Sequence, residues 1–327
     1  MSKVVKTFIE DKVKNIIKHT LDEGKVVNVN DASRIKNVRF SSFPFCGVQW
    51  FLDLPGLLSK TVNKDYAFGY FTRVGTTVHE VTQEALHSIQ KMFDGEDLEI
   101  LWDWKCKSCK TRVSVLTSSC DVAECSTCGH TKFSREEHQV RHLNKKLNKE
   151  AVGHVDTILK VKLPPNISRL VGSTHGVIIV DYKTSSVLNT TRKGVLPYPD
   201  NVAQISKYAG VIRKRLPVIG WALVYMPRDI PFRFVIHAGY VSDEDCLDNR
   251  RDINKYIRIH TEWSAATTLE DIKELYDKRP CQSKADIPEE FKSCDHCKQC
   301  CSGDAGFVPL KNVFNRIKDK LPLSDLS

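Results

Sequence analysis

Gly176-Val177-Ile178-Ile179-Val180-Asp181-Tyr182-Lys183 decides how this chain is read. An uncharged, β-branched run that ends in a polar triplet specifies a buried strand. Side chains alternate along a strand, so Asp181 and Lys183 point to one face. A carboxylate held beside an amine there can bind a divalent metal, while the amine orients or deprotonates a water.

Outward from this strand the pattern is regular. Upstream, His138 to Leu143 and Val152 to Val161 read as strands. Downstream, Pro199 to Arg215 reads as a helix with Val202, Ile205, Ala209 and Ile212 as its buried stripe. Val218 to Tyr225 and Phe232 to Val241 read as two further strands, and Asp243 to His260 and Leu269 to Asp277 as helices. Val4 to Leu21 has helical spacing. Thr77-Val78-His79-Glu80 has the form of a capping box opening a helix that runs to about Phe93. This order suits an α/β (α+β) fold, a mixed sheet flanked by helices. The expected divisions are residues 1–100, N-terminal and helical; 101–135, a cysteine-rich insertion; 136–242, the core; 243–303, helical with a second cysteine cluster; and 304–327, an amphipathic tail.

Composition narrows the function classes. The chain has 327 residues, 41% hydrophobic, enough for a sizeable core. No apolar run approaches a membrane span, and Met1 to Asn15 lacks a signal-peptide core. The expectation is a cytoplasmic protein of a bacterium or a virus-infected cell, with no membrane partner. A net charge of +9 makes a polyanion the natural partner, although many proteins with this balance bind none. Twelve cysteines in such a chain argue for metal rather than disulfides.

A second carboxylate lies in Gly153-His154-Val155-Asp156, near the middle of the strand before Asp181. If the two strands are neighbours, Asp156 and Asp181 converge, and hard oxygen ligands suit Mg²⁺ or Mn²⁺. His79, at a helix start, adds a nitrogen ligand that favours Mn²⁺. Gln204 and Tyr208, four apart, share one helix face that suits a DNA phosphate or the active-site lysine.

In this order, His79, Gly153 with Asp156, Asp181 with Lys183, and Gln204 with Tyr208 resemble the RecB-like branch of the PD-(D/E)XK nucleases. Its motifs are a helix histidine, G-x-x-D, D/E-x-K and Q-x-x-x-Y. Arg39 to Cys46 also resembles the family's opening segment, and the likeness runs from about Phe40 to Cys301 apart from the insertion. The resemblance implies a restriction-endonuclease-like core. It implies metal binding by His79, Asp156 and Asp181, a catalytic Lys183, and a tyrosine that contacts the site or the DNA. The activity implied is phosphodiester hydrolysis by a metal-activated water. The expected enzyme is a metal-dependent DNA nuclease, an exonuclease preferring single strands or ends, in repair, recombination or phage replication. CRISPR spacer processing is a variant of the same chemistry. A DNA-binding scaffold without catalysis is the alternative, and a zinc-ribbon transcription accessory factor would leave D-x-K and Q-x-x-x-Y unexplained. No helicase P-loop occurs, so unwinding requires a helicase or recombination partner.

The cysteines form two groups. Cys106, Cys109, Cys125 and Cys128 have the C-x₂-C…C-x₂-C spacing of a zinc ribbon, with Cys120 as a spare. Lys105, Lys107, Lys110, Arg112 and Lys132 in this segment suggest a DNA contact. In the second group, the family's 4Fe–4S cluster maps onto Cys46, Cys294, Cys297 and Cys301, joining the N- and C-terminal parts. The last cysteine comes earlier than in the family, so Cys300 and Cys281 are alternative fourth ligands, and zinc is an alternative occupant. Cys246 reads as a small buried residue. Arg192, Lys193, Lys207, Arg213, Lys214 and Arg215 lie where a phosphate backbone would pass, and Phe43, Phe45, Trp50 and Phe51 could stack bases or fill the core.

Overall fold

The central strand extends from His175 to Ser185 and is paired on both sides. The computed structural model describes residues 2–20, 38–40, 81–82, 85–86, 97–185, 194, 196–227, 234–266 and 268–279. In chain order these form α1 (Ser2–Thr20), β1 (Val38–Arg39), β2 (Leu98–Cys106), β3 (Arg112–Thr117), β4 (Phe133–Glu136), β5 (His138–Asn144), β6 (Lys149–Val155) and β7 (Thr157–Lys162). There follow α2 (Pro165–Val171), β8 (His175–Ser185), α3 (Pro199–Ile212), β9 (Val218–Pro227), β10 (Val235–Tyr240), α4 (Asp243–Ala265) and α5 (Leu269–Asp277).

The chain divides into two compact units. The first comprises Met1–Val29, Ala67–Val140 and Gly153–Asn249; the second comprises Asn30–Tyr66, Arg141–Val152 and Arg250–Ser327. In the first, the sheet order is β10-β9-β8-β7-β2-β3, with β4 also on β2. β8 and β9 are parallel and the remaining pairs antiparallel, so the sheet is mixed. The parallel step requires a crossover, and α3 supplies it.

Alternation gives the two faces of this sheet different work. Ile178, Val180 and Tyr182 of β8 join Leu98, Ile100 and Trp102 of β2 and Val5, Ile9 and Val13 of α1 in one apolar core. The opposite face of β8 carries Val177, Ile179, Asp181 and Lys183. α1 lies close because Gly220 has no side chain: a Cβ there would sit 2.4 Å from Ile9 Cδ1 and 2.3 Å from the Gly239 carbonyl oxygen. Leu86 joins the same core, and Thr82 Oγ1 donates to Met226 Sδ at 3.7 Å.

In the second unit, β1 pairs with β6 in parallel, Val38 opposite Ala151. His142 Nε2 lies 3.1 Å from Asn254 Oδ1. Burial holds His260 largely neutral, at about 4, and Lys149 adds to the effect. A capping box starts α5: Asp271 N–H donates to Thr268 Oγ1 and Thr268 N–H to Asp271 Oδ2, at 3.1 and 2.9 Å. Among the described residues no helix is long and apolar enough to cross a membrane.

The structure departs from the sequence reading at three places. The strand expected over Val152 to Val161 is two strands, with a bend at Asp156 where the chain passes from one sheet to the other. β2 is a nine-residue strand that periodicity missed, because Asp103 and Lys105 interrupt its apolar pattern. α2 is a short helix of seven residues between β7 and β8, opened by Pro164-Pro165 and closed by Gly172 in the left-handed region.

Candidate active site and cysteine ribbon

Asp156 occupies the bend before β7 because the bend leaves β8 short of a partner. β7 begins at Thr157, opposite Val180, so the Tyr182 N–H has no ladder acceptor. Asp156 Oδ2 accepts it at 2.8 Å. One strand away, Asp181 is also buried, 3% exposed against 8% for Asp156. Two carboxylates thus lie in a low-dielectric setting at the same end of adjacent strands.

Lys183 is the cation that faces them. Its Nζ lies 2.7 Å from Asp181 Oδ2 and donates to Gln204 Oε1 at 3.3 Å. Gln204 Nε2 in turn donates to the Tyr208 hydroxyl at 2.9 Å. Burial disfavours charge on Lys183, but the Asp181 and Asp156 carboxylates outweigh it and raise its pKa, so it is an ammonium at neutral pH. Burial, then the Asp181 charge, push Tyr208 well above the ordinary phenol value, and the Glu137 carboxylate adds to the same field. Of the face expected for either a phosphate or the lysine, the structure shows the lysine held.

Tyr225 is a supporting residue that the sequence reading missed. It stands opposite Lys183 in the β8–β9 register. Its hydroxyl accepts the Tyr198 N–H at 3.1 Å and Asn201 Nδ2 at 2.9 Å. These bonds fasten the first turn of α3, the helix that brings Gln204 to Lys183, where Pro199 supplies no N–H of its own. A tyrosine in an apolar strand has no sequence signature that separates this role from packing.

The cysteine ribbon grows out of β2. Residues 98–101 pair with β7 in the main sheet, whereas 102–106 pair with β3 and β4. Cys106, Cys109, Cys125 and Cys128 bring their Sγ atoms within 4.8 Å of one another, with Cys106–Cys128 at 3.5 Å and Cys109–Cys125 at 3.6 Å. A tetrahedral zinc with bonds of ~2.3 Å places its thiolates ~3.8 Å apart, close to these separations, and an S₄ donor set also suits iron–sulfur chemistry. The two knuckles share a turn, since Lys110 and Gly129 each follow a second cysteine with φ of 61° and 68°. The Thr111 hydroxyl, the largest influence, helps lower the Cys109 thiol to about 6. Cys120 stands outside this group and packs against the core, and Cys246 is buried.

At the ribbon's base the fully buried Asp103 carboxylate gathers four donors: His138 Nδ1 at 2.9 Å, Arg112 at 3.3 Å, Leu116 N at 3.3 Å and Gln139 N at 3.4 Å. Desolvation raises its pKa, but His138, Arg112 and Gln139 outweigh this and leave it below 3.8.

Two of the expected cation groups are used structurally. In the ribbon, Lys105 pairs with Glu136 and Arg112 with Asp103. On α3 and after it, Lys207 is buried, and Arg213 binds Asp243 at 2.8 Å and the carbonyls of Val218 and Val241. His79, Cys46, Cys281, Cys294, Cys297, Cys300, Cys301, Arg192, Lys193, Phe43, Phe45, Trp50 and Phe51 lie outside the described residues, as does the tail from 304 to 327.

No family model and no curated protein matches this chain. Among solved structures, the crystal structure of SSO0001 aligns over 76% of this chain and 86% of that chain, at 12% identity and a TM-score of 0.33.

Proposed function

We propose that the chain is a metal-dependent DNA nuclease of the RecB-like, restriction-endonuclease-like type, cutting phosphodiester bonds at single strands or ends. The observation that carries this reading is the chain Asp181–Lys183–Gln204–Tyr208, with Asp156 on the neighbouring strand. A structural salt bridge needs neither the second buried carboxylate nor the amide relay. Two buried carboxylates lie on adjacent strands beside one ammonium, and their oxygens fit Mg²⁺ or Mn²⁺. Asp156 and Asp181 would hold the ion, with His79 as the expected third ligand. When bound, the cation polarises the scissile phosphate and acidifies water.

The protein's own groups do the rest. Lys183 is charged at neutral pH, so it acts as a donor that orients the attacking water and offsets charge growing on the phosphate. Gln204 fixes its direction and Tyr208 fixes Gln204. The Cys106–Cys109–Cys125–Cys128 site holds zinc in this reading, and Cys46, Cys294, Cys297 and Cys301 hold a 4Fe–4S cluster. The setting is cytoplasmic.

The test is cleavage of end-labelled single-stranded and duplex DNA and of circular single strands, with Mg²⁺, Mn²⁺ or Ca²⁺. Degradation of linear DNA with Mg²⁺ or Mn²⁺ is expected. No cleavage by metal-replete protein that still binds DNA would favour the scaffold.

A further inference from the structure

The geometry points to the ribbon as a strand guide: Lys107, Lys110 and Lys132 grip the DNA backbone several nucleotides from the bond that is cut. This rests on the nuclease reading and adds to it a second contact and a length requirement. Register carries the argument. Leu101 is opposite Ile158, which is opposite Ile179. β2 and β8 both run antiparallel to β7 and hence point the same way. Counting two residues on from each, Asp103 comes level with Asp181. The ribbon therefore leaves the sheet at its catalytic end. Cys106 lies three residues further along, roughly 10 Å, and two strand spacings aside, again roughly 10 Å. The separation is about 14 Å, a span of a few nucleotides along one strand.

The mounting is stiff. One strand, β2, belongs to both the main sheet and the ribbon, and the Asp103 cluster locks their junction. On the ribbon, Lys107, Lys110 and Lys132 are exposed, and no carboxylate among the described residues pairs with them. The backbone N–H of Lys107 donates to the Lys132 carbonyl at 3.0 Å, which sets these two side by side, and Lys110 follows in the same knuckle. The cations that turn inward, Lys105 and Arg112, are the ones already paired. At about 14 Å, beyond the Debye length of about 10 Å in 0.1 M salt, the three lysines act on flanking phosphates rather than the reacting one. They therefore govern binding and leave the chemical step alone.

The experiment compares wild type with the triple variant Lys107→Gln, Lys110→Gln and Lys132→Gln. It measures binding of a labelled single strand of about 30 nucleotides against salt, saturating cleavage rate, and zinc content. Each lost phosphate contact weakens binding roughly 5-fold at 0.1 M salt, so three give on the order of 100-fold, and the salt slope falls by about 2. Maximal rate and zinc content are expected to hold, and on dinucleotides, too short to reach the ribbon from the site, the two proteins should behave alike. Unchanged affinity and slope would overturn the guide. So would loss of zinc, since the lysines would then merely neutralise thiolates, or a fall in maximal rate. Wild-type protein that binds through these lysines yet never cleaves would keep the guide and remove the nuclease reading. Cleavage with unaltered binding in the variant would do the reverse.

Discussion

Lys183 is the residue on which the site turns. Its contacts divide it between a carboxylate, which sets its charge, and an amide, which sets its direction. Lys183→Ala is expected to reduce cleavage on the order of 10³-fold with the fold retained, measured as single-turnover rate and melting temperature. Gln204→Ala removes the direction and leaves the charge. A loss on the order of 10-fold in rate at saturating DNA, with DNA affinity unchanged, is the expected outcome. At this scale the sequence was informative, because D-x-K at a strand end and Q-x-x-x-Y on a helix impose fixed spacings. Asp156 was legible as a carboxylate beside Asp181 but not as the residue of a bend. Its bond to the Tyr182 N–H depends on which sheet each half of the strand joins. Tyr225 was not legible, since its hydroxyl acts across two elements.

At the scale of elements, β2 and the ribbon diverge most from the reading by periodicity. Asp103 is a charged residue where an apolar one would be expected, and the donors that make it tolerable come from β3 and β5. Asp103→Asn leaves His138 and Arg112 facing a neutral group and is expected to cost about 3 kcal/mol, measured by denaturant unfolding. The pH dependence has a definite sign. A carboxylate whose folded value lies below 3.8 contributes stability above that pH, and the contribution fades as the pH falls through the folded value. Acid unfolding of wild type should therefore steepen below about pH 4, and Asp103→Asn should flatten it. Cys109→Ser is expected to remove one zinc per chain by elemental analysis and to expose the ribbon to protease, because about 30 residues with so few large aliphatics need the metal as their core. The cysteine spacing alone announced this element. Its anchorage in the sheet did not show, because it depends on a strand partner about 60 residues downstream.

For the whole first unit, the order of strands and helices was readable from β8 onward, where each element carries one period. Upstream, short strands and a switch of sheets blurred the signal. The mixed sheet then places Asp156, Asp181, Lys183 and the ribbon at one end, with the α1 core on the opposite face. The central claim is that this end is a metal-dependent nuclease centre. The most direct measurement is single-turnover cleavage of end-labelled single-stranded DNA in Mn²⁺ by wild type, Asp181→Asn and Lys183→Ala, with DNA binding measured alongside. Cleavage by wild type, abolished in both variants while binding persists, is expected. Equal rates in all three proteins, or DNA binding without cleavage by the metal-replete wild type, would contradict the claim.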